Sequence, residues 1–327
     1  MMTTKDKIIA IDLGGTSAKL AIVSTNGEIL QKWSVNTVVL NGGKAIVPNL
    51  IESIQERMDL YQLTTEDFLG IGMGSPGTVN HIDLTVIGAY NLNWVETQNV
   101  GEQFSQAFKL PFYLDNDANI AALGEQRHGS GDNASDVVMV TLGTGVGGGI
   151  IVDGQIVHGN SGAAGEIGHM TIDKDSGIAC TCGKIGCLEA LASATGLMNL
   201  TREYSEEYSG DSEIKQRIDN GDELTAKDIF EASEQHDMFA KHVVEQFGEY
   251  LGLGCSHIVN MLNPSKIILG GGVAQAGEYL RELVARHCDN YIFPALKGKT
   301  EIVIASLGND AALLGAAELV NDGKLVG

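Results

Sequence analysis

Three cysteines stand within eight residues of this chain, in the stretch CTCGKIGCLE at residues 180–189. With the preceding GEIGH at residues 165–169 they form the pattern His-x10-Cys-x-Cys-x4-Cys, made by His169, Cys180, Cys182 and Cys187. Three thiolates and an imidazole satisfy tetrahedral Zn²⁺, as in closed structural sites, and glycine-bearing spacers let a loop wrap the ion. The redox spacing C-x-x-C is absent, and a disulfide would leave one thiol over. The spacing therefore predicts a structural zinc site.

A second group of chemistry-bearing residues is DNDAN, residues 115–119, which follows the apolar strand PFYL. One interpretation is an N-cap, with Asn116 or Asp117 capping a helix that starts near Ala118. The alternative is that Asp117 is a general base at a cleft and Asn116 a hydrogen-bonding partner for a polyol. A carboxylate at the carboxyl end of a strand is well placed to accept a proton from a substrate hydroxyl. The residues alone leave both interpretations open.

Glycine-rich turns form a third group, in DLGGT (residues 12–16), TLGTGVGGG (141–149) and LGGGV (269–273). The backbone amides of such turns can converge on a phosphate. Asp12 could hold Mg²⁺ through water, Thr16 could contact phosphate oxygens, and the third strip could let adenine or ribose lie against the backbone. The pattern matches neither a Walker P-loop nor a Rossmann turn. Two loops, GSPGTV and NLNW, offer Gly77 and Asn91 toward a substrate, although isolated residues of this kind are more often plain turn residues.

The elements that position these groups follow one plan twice, at residues 7–35 and 136–159. Each unit has a β-rich run, a glycine turn, a second run, an Asn-Gly or Asp-Gly hairpin signal and a third strand. The repeat predicts two related α/β domains that present their glycine turns to a shared cleft, where one triphosphate is clamped. Helical patterns occupy residues 46–60, 239–262, 274–288 and 309–320, and another helix opens at 119–126. The polar stretch at 203–228 is interpreted as a mobile helical excursion or surface arm.

Composition limits the class of protein. A chain of 327 residues exceeds the usual size of a single core, which favours two domains. The net charge of −21 disfavours binding to nucleic acid or to an anionic membrane, so an anionic ligand must be held by backbone amides or a metal ion. The short apolar run before Asp12 does not fit a signal peptide, and no apolar stretch is long enough for a membrane span. We therefore expect a cytoplasmic protein with reduced thiols.

Taken together, the chain resembles the ROK family of sugar kinases and repressors, and within it the bacterial ROK glucokinases. The resemblance covers essentially the whole chain and rests on DLGGT, GSPGTV, NLNW, DNDAN, LGTGVGGG, GEIGH, C-x-C-G-x-x-G-C-x-E and LGGGV in family order. It implies an α/β fold of two ribonuclease-H-like domains of the actin-like ATPase and sugar kinase type around a substrate cleft. We place a small domain at residues 1–120 plus 308–327, and a large domain carrying the zinc loop at 121–307.

The resemblance also implies roles for individual residues. Asp117 corresponds to the catalytic base that deprotonates the 6-hydroxyl of glucose, with ATP as phosphoryl donor and Mg²⁺ bound with the nucleotide. His169 serves twice, with one ring nitrogen on zinc and the other toward the sugar. The implied substrate-binding residues are Gly77, Asn91, Asn116, Asp117, Glu166, His169 and Glu189. The implied nucleotide-binding residues are Asp12, Gly14, Gly15, Thr16, Lys19, Gly143, Thr144, Gly145, Gly271 and Gly272.

Alternatives within and beyond this family remain. Kinases for fructose, N-acetylmannosamine or allose share most of these motifs, and polyphosphate is a second possible donor, although no added basic strip for a long polyanion is present. A sugar-responsive repressor is disfavoured, because such repressors carry a helix-turn-helix domain before the DLGGT strand, which here begins near Lys7. The expected assembly is a homodimer or homotetramer.

Overall fold

The computed structural model describes residues 5–326. The strands are β1 Lys7–Leu13, β2 Ser17–Ser24, β3 Ile29–Asn36, β4 Phe68–Ser75, β5 Thr78–Asn80, β6 Thr85–Ile87, β7 Phe112–Asn116, β8 Val137–Leu142, β9 Val146–Val152, β10 Gln155–Ile156, β11 Lys266–Gly270 and β12 Glu301–Ile304. The α-helices are α1 Leu40–Gly43, α2 Ile46–Leu60, α3 Val100–Phe108, α4 Asp117–His128, α5 Leu188–Ala192, α6 Ala194–Glu207, α7 Glu213–Asp219, α8 Ala226–Glu234, α9 Met238–Leu262, α10 Gly277–Tyr291 and α11 Ala311–Val326.

Two five-stranded sheets share one topology. The first has the order β3-β2-β1-β4-β7 and the second β10-β9-β8-β11-β12. In both, the first three strands along the chain pair antiparallel, and the last two add in parallel on the other side of the first strand. The same order in both halves confirms the predicted pair of related α/β domains.

Most elements lie where the sequence pattern predicts them. The Asp153-Gly154 turn has positive φ at both residues, 52° and 73°, as a tight Asp-Gly hairpin needs. Three helices differ at their ends. Helix α4 begins two residues earlier than predicted because Asn116 caps it, and α11 begins at Ala311 and continues to Val326. The segment predicted as one helix from residue 274 is divided by Gly277, whose φ of +64° ends a short 3₁₀ turn before α10.

The polar stretch at 203–228 is helical, as predicted, but the surface-arm interpretation is wrong. It contains the end of α6, all of α7 and the start of α8. Ile214 of α7 and the neighbouring Ile229 and Phe230 of α8 are buried in the core of the second domain. A few suitably spaced apolar residues are enough to hold short helices on a large core. The low apolar content of the stretch was therefore a poor guide to its packing.

Helices α4 and α11 pack against each other between the two sheets. Ile120 of α4 and Leu313 of α11 are buried with Ile8 of β1. One turn further along α4, Leu123 is buried with Met139 of β8. The two helices therefore connect the cores of the two domains.

Glycines allow this close helix crossing. A Cβ atom added to Gly315 of α11 would lie 1.7 Å from the carbonyl oxygen of Ile120, and one added to Gly124 of α4 would lie 1.9 Å from that of Ala311. Both obstacles are backbone atoms, which cannot rotate away. The crossing distance between the helices thus depends on the absence of side chains at these two positions.

Two further observations concern burial and hydropathy. Cys255 in α9 and Cys288 in α10 are buried free thiols. Among residues 5–326, no helix combines the length and the apolar character that crossing a bilayer requires.

We predict that Gly315→Ala lowers the free energy of unfolding by about 1–3 kcal/mol or more, because an extra methyl group must push α4 and α11 apart. Urea unfolding followed by circular dichroism measures this. Gly272→Ala is the matched control, since its backbone is right-handed helical and no atom lies within 4 Å of an added Cβ. A Gly315→Ala protein as stable as the control would contradict the role given to the crossing.

Candidate active site

A cleft of about 630 Å³ lies between the two sheets and receives residues from both domains. It brings together eight of the residues singled out in the sequence: Asp12, Lys19, Asn91, Asp117, Gly143, Gly145, Glu189 and Gly271. Asp12 lies in β1, Asp117 follows β7, Gly143 follows β8 and Gly271 follows β11. Ligands of open α/β sheets bind outside the carboxyl ends of their strands, and three of these four residues lie just beyond such an end.

Asp117 is the first residue of α4 and lines the cleft. Its Oδ1 accepts a hydrogen bond from the backbone N–H of Ala118 at 2.9 Å. Burial raises the pKa of Asp117, and the negative charges of Asp12 and Glu166 raise it further against the lowering effect of the Ala118 bond. A carboxylate with a raised pKa, facing a cleft, fits general base chemistry.

Asn116 does cap the helix, so the two interpretations of DNDAN are compatible. Its Oδ1 accepts from the N–H of Ala118 at 2.9 Å, and its Nδ2 donates to the carbonyl oxygen of Gly77 at 3.2 Å. Gly77 has a φ of +92°, and an added Cβ would lie 2.8 Å from the backbone nitrogen of Ala89. Asn116 thereby connects the loop that contains Gly77 to the turn that carries Asp117. Neither residue is among those that line the cleft.

The first glycine turn lies beside Asn91 and Lys19. An added Cβ on Gly15 would come 3.3 Å from Nδ2 of Asn91. The turn is closed by hydrogen bonds of Thr37, whose Oγ1 donates to the carbonyl of Gly14 at 2.7 Å and whose N–H donates to that of Thr16 at 2.9 Å. Of the predicted group, Gly14, Gly15 and Thr16 shape the turn without lining the cleft, while Asp12 and Lys19 line it.

Lys19 is the one cation among the described residues that line the cleft. Its Nζ lies 3.6 Å from Oδ2 of Asp12 and donates to Oδ1 of Asn309 at 3.2 Å. Burial raises the pKa of Asp12, and Lys19 opposes that rise. The arrangement holds a positive charge beside the glycine turn, where an anionic ligand needs one.

The second glycine turn is tied to the start of α6 and to Glu189. The carbonyl of Gly143 accepts from the N–H of Ala194 at 2.9 Å, and that of Thr144 from Oγ1 of Thr195 at 2.8 Å. Oε2 of Glu189 accepts from the N–H of Val146 at 3.1 Å. An added Cβ on Gly145 would lie 2.2 Å from that same Oε2. Only glycine at this position leaves room for the carboxylate of Glu189.

The third glycine strip connects the cleft to two adjoining cavities. Gly271 has a φ of +85°, and its Cα faces the carbonyl of Leu142, which an added Cβ would approach to 2.5 Å. Gly271 lines the cleft and a neighbouring cavity of about 360 Å³. Gly272 lines that cavity and a further one of about 320 Å³, whose opposite wall is Lys227, Phe230, Glu231 and Glu234 of α8. A chain of adjoining cavities therefore leads from the cleft to α8, whose first residues end the polar stretch at 203–228.

His169, Cys180, Cys182 and Cys187 lie together, as predicted. One donor atom from each falls within 4.8 Å of all the others. Sγ of Cys180 is 3.6 Å from Nδ1 of His169, and Sγ of Cys182 is 3.6 Å from Sγ of Cys187. These separations suit four ligands of one tetrahedral metal ion.

The metal cluster adjoins Glu166 and Glu189. With Nδ1 of His169 toward the thiols, its Nε2 lies 3.8 Å from Oε2 of Glu166, a side chain that is 65% exposed. Thr181, between two of the cysteines, donates from Oγ1 to Oε1 of Glu189 at 2.8 Å. Glu189 therefore contacts the metal loop with one oxygen and the second glycine turn with the other.

Sequence reasoning missed several residues of the cleft, above all Asn309 and its neighbour Gly308. Gly308 and Asn309 come four and five residues after the end of β12, in the loop before α11, and ligands of such sheets bind outside the carboxyl ends of strands. Ala118 and Ala121 of α4 and Thr141 of β8 also line the cleft. The two alanines are small apolar residues and Thr141 is an ordinary strand residue, so nothing in their residue types indicated a place in the cleft.

The comparisons with known proteins agree with this site. The model of the ROK family matches residues 8–323. A glucokinase of Halalkalibacterium halodurans is 41% identical over 312 residues, which is 95% of this chain and 94% of that protein. The chain belongs to the ROK family. Its predicted fold, two actin-like α/β domains around a cleft, is thereby confirmed.

Other ROK proteins that resemble the chain differ in function. A crystal structure of a ROK family glucokinase from Streptomyces griseus, in complex with glucose and AMPPNP, superposes with a TM-score of 0.76 at 30% identity and covers 97% of this chain and 100% of that one. A xylose repressor of Caldicellulosiruptor bescii is 31% identical over 315 residues, which is 96% of this chain and 77% of the repressor. Membership of the ROK family therefore leaves the choice of function to the residues of the site.

We predict that Cys182→Ser weakens metal binding by the cluster, because a hydroxyl replaces one of the thiolate ligands. Metal per chain is measured by mass spectrometry after dialysis against a chelator, where the unaltered protein is expected to keep about one ion. Cys182 is exposed, so its replacement buries no new polar group. Cys255→Ala is the control, and equal metal retention in both variants would contradict the four-ligand site.

Proposed function

We propose that this protein transfers the γ-phosphoryl group of ATP to the 6-hydroxyl of glucose, giving ADP and glucose 6-phosphate. The observation that carries the proposal is one cleft lined by Asp117, by glycines of the second and third glycine turns and by Glu189. The 41% identity with a glucokinase supports the choice of reaction.

Asp117 is proposed as the general base. The substrate hydroxyl must lose its proton as it attacks phosphorus, and a positioned carboxylate accelerates such a transfer by about 10²–10⁴-fold. The raised pKa of Asp117 strengthens it as a proton acceptor once it is ionised. Its place at the N-terminus of α4 keeps the carboxylate at the boundary between the two domains.

The triphosphate is proposed to lie between the turns at Gly14–Thr16 and Gly143–Gly145, with the adenosine toward Gly271 and Gly272. Phosphoryl transfer needs in-line positioning and compensation of charge more than covalent help from the protein. Asp12 and Asp117 are half-buried carboxylates with raised pKa values, an arrangement that suits a cation held between them and the phosphates. Mg²⁺ bound with the nucleotide would supply that charge, with Asp12 holding it through water.

Zinc is proposed as the ion of the cysteine cluster. Zn–S and Zn–N bonds of about 2.3 and 2.0–2.1 Å place tetrahedral ligands about 3.5–3.8 Å apart, close to the 3.6 Å separations of the Cys180–His169 and Cys182–Cys187 atom pairs. Closed Cys₃His sites are structural. This one would orient His169 and, through Thr181, Glu189, both of which we propose as partners of the sugar hydroxyls together with Asn91, Asn116 and Glu166.

The test is a coupled assay of ADP release with a panel of hexoses, with and without Mg²⁺, on metal-loaded protein. The expected result is a kcat/KM for glucose above those for fructose, N-acetylmannosamine and allose, and no turnover without Mg²⁺. A clear preference for another hexose would overturn the substrate assignment. No turnover of any hexose would overturn the kinase assignment itself. The cytoplasmic location and the homodimer or homotetramer remain predictions.

Asp117→Asn is predicted to lower kcat by about 10²–10⁴-fold, since the amide cannot accept the proton. It should leave glucose affinity, measured by calorimetry, and the unfolding curve nearly unchanged, because the amide is of similar shape. Asp219→Asn is the matched control, as its side chain is 54% exposed on α7 and contacts only Lys215. A kcat within tenfold of the unaltered protein would remove Asp117 from the proposed mechanism.

A further inference from the structure

A second carboxylate, Asp115, lies two residues before the proposed base and is only 3% exposed. Its Oδ1 accepts from the backbone N–H of Asn116 at 2.7 Å and from Nδ2 of Asn119 at 2.8 Å. Its Oδ2 lies 2.6 Å from Nε2 of His158. Asp115 therefore fixes the turn that carries Asp117 and the first turn of α4 from inside the protein.

His158 belongs to the other domain. It follows β10 and begins the segment 158–166, which ends at Glu166. The segment folds back on itself, because the carbonyl of His158 accepts from the N–H of Ala164 at 3.1 Å. At Gly162 it lies against β5, where an added Cβ would be 2.5 Å from the carbonyl of Val79. The Asp115–His158 contact thus joins the segment leading to Glu166 directly to strand β7.

The charges around His158 favour its protonated form. Among the described residues, the titratable groups that face it are Asp115 and His81, whose ring stacks on that of His158 with centroids 4.0 Å apart. The bond to Asp115 raises the pKa of His158 against the effect of burial. Burial and then the neighbouring His158 charge lower the pKa of His81. The pKa values of the two stacked rings are therefore shifted in opposite directions, upward for His158 and downward for His81.

We propose that His158 is a positioning residue that acts through Asp115 to hold the segment 158–166 against the turn bearing Asp117. The contact keeps Glu166, on the proposed sugar-binding side of the cleft, at a fixed position relative to Asp117. This inference rests on the proposed function, because it assigns both ends of the contact to one sugar site.

The expected pH dependence follows from the direction of the shift. A histidine whose pKa is raised on folding contributes stability that is complete below its unfolded pKa of about 6.5 and is lost as pH rises through the folded value. The contact should therefore be strongest below about pH 6.5 and weaken as the pH rises through the raised pKa of His158. The side chain of His158 is 26% exposed, so it exchanges its proton with solvent.

The first experiment compares His158→Gln with His287→Gln in steady-state kinetics. His287 is a matched control because its Nε2 makes a similar 2.9 Å contact with Glu245, between α10 and α9 and away from the cleft. We expect His158→Gln to lower kcat/KM for glucose at least tenfold and to leave KM for ATP within about twofold. The control should change neither constant by more than about twofold. A general loss of stability would alter the kinetic constants for ATP as well as those for glucose.

The second experiment follows the histidine ring resonances by NMR between pH 5 and 9. The proposal expects a His158 pKa above about 6.5, and Asp115→Asn should return it toward that value while lowering kcat/KM for glucose as His158→Gln does. A His158 pKa at or below about 6.5, or a His158→Gln protein with unchanged kcat/KM, would overturn the inference. If the hexose panel identifies another substrate, the same variants are assayed on that hexose, so failure of the glucose assignment and failure of the positioning role are distinguishable.

Discussion

The close crossing of α4 and α11 is the constraint on which the rest of the molecule depends. Because Gly124 and Gly315 have no side chains, the backbones of the two helices come into direct contact between the sheets. The N-terminus of α4 carries Asp117, and about two turns later Glu125, which is fully buried, accepts from the backbone N–H groups of Ser306 and Leu307 at 3.1 and 2.7 Å. One helix thus places the proposed base and also anchors the chain crossing that leads to Asn309 and α11.

A second constraint is electrostatic. The chain has a net charge of −21, and among the described residues lining the cleft only Lys19 is cationic. A triphosphate in such a protein must be stabilised by backbone amides at glycine turns and by a metal ion, because there are few side-chain cations to do so. This accounts for the many glycines in the site better than a need for flexibility does. At Gly145, for example, the carboxylate of Glu189 occupies the space that a side chain would need.

The loop that carries the three cysteines connects Glu166 and His169 to Glu189 along the chain. It brings Glu166 and His169, which precede it, near Glu189, which follows it. Glu189 contacts both Thr181 in the loop and Val146 after the second glycine turn, so one side chain connects the loop to that turn.

The sequence by itself determined the local features of this protein. The strands around each glycine turn, the Asp153-Gly154 hairpin and the spacing of the four metal ligands follow from alternation, turn chemistry and distance along the chain, all of which act within a few residues. Family resemblance added the roles of Asp117 and the glycine turns. Only the tertiary structure decided that Gly14 and Thr16 shape their turn while Lys19 faces the cleft, that α8 lines a cavity beside Gly272, and that His158 reaches Asp115. Each of these depends on side chains packed across domains from distant parts of the chain, and no local pattern encodes such contacts.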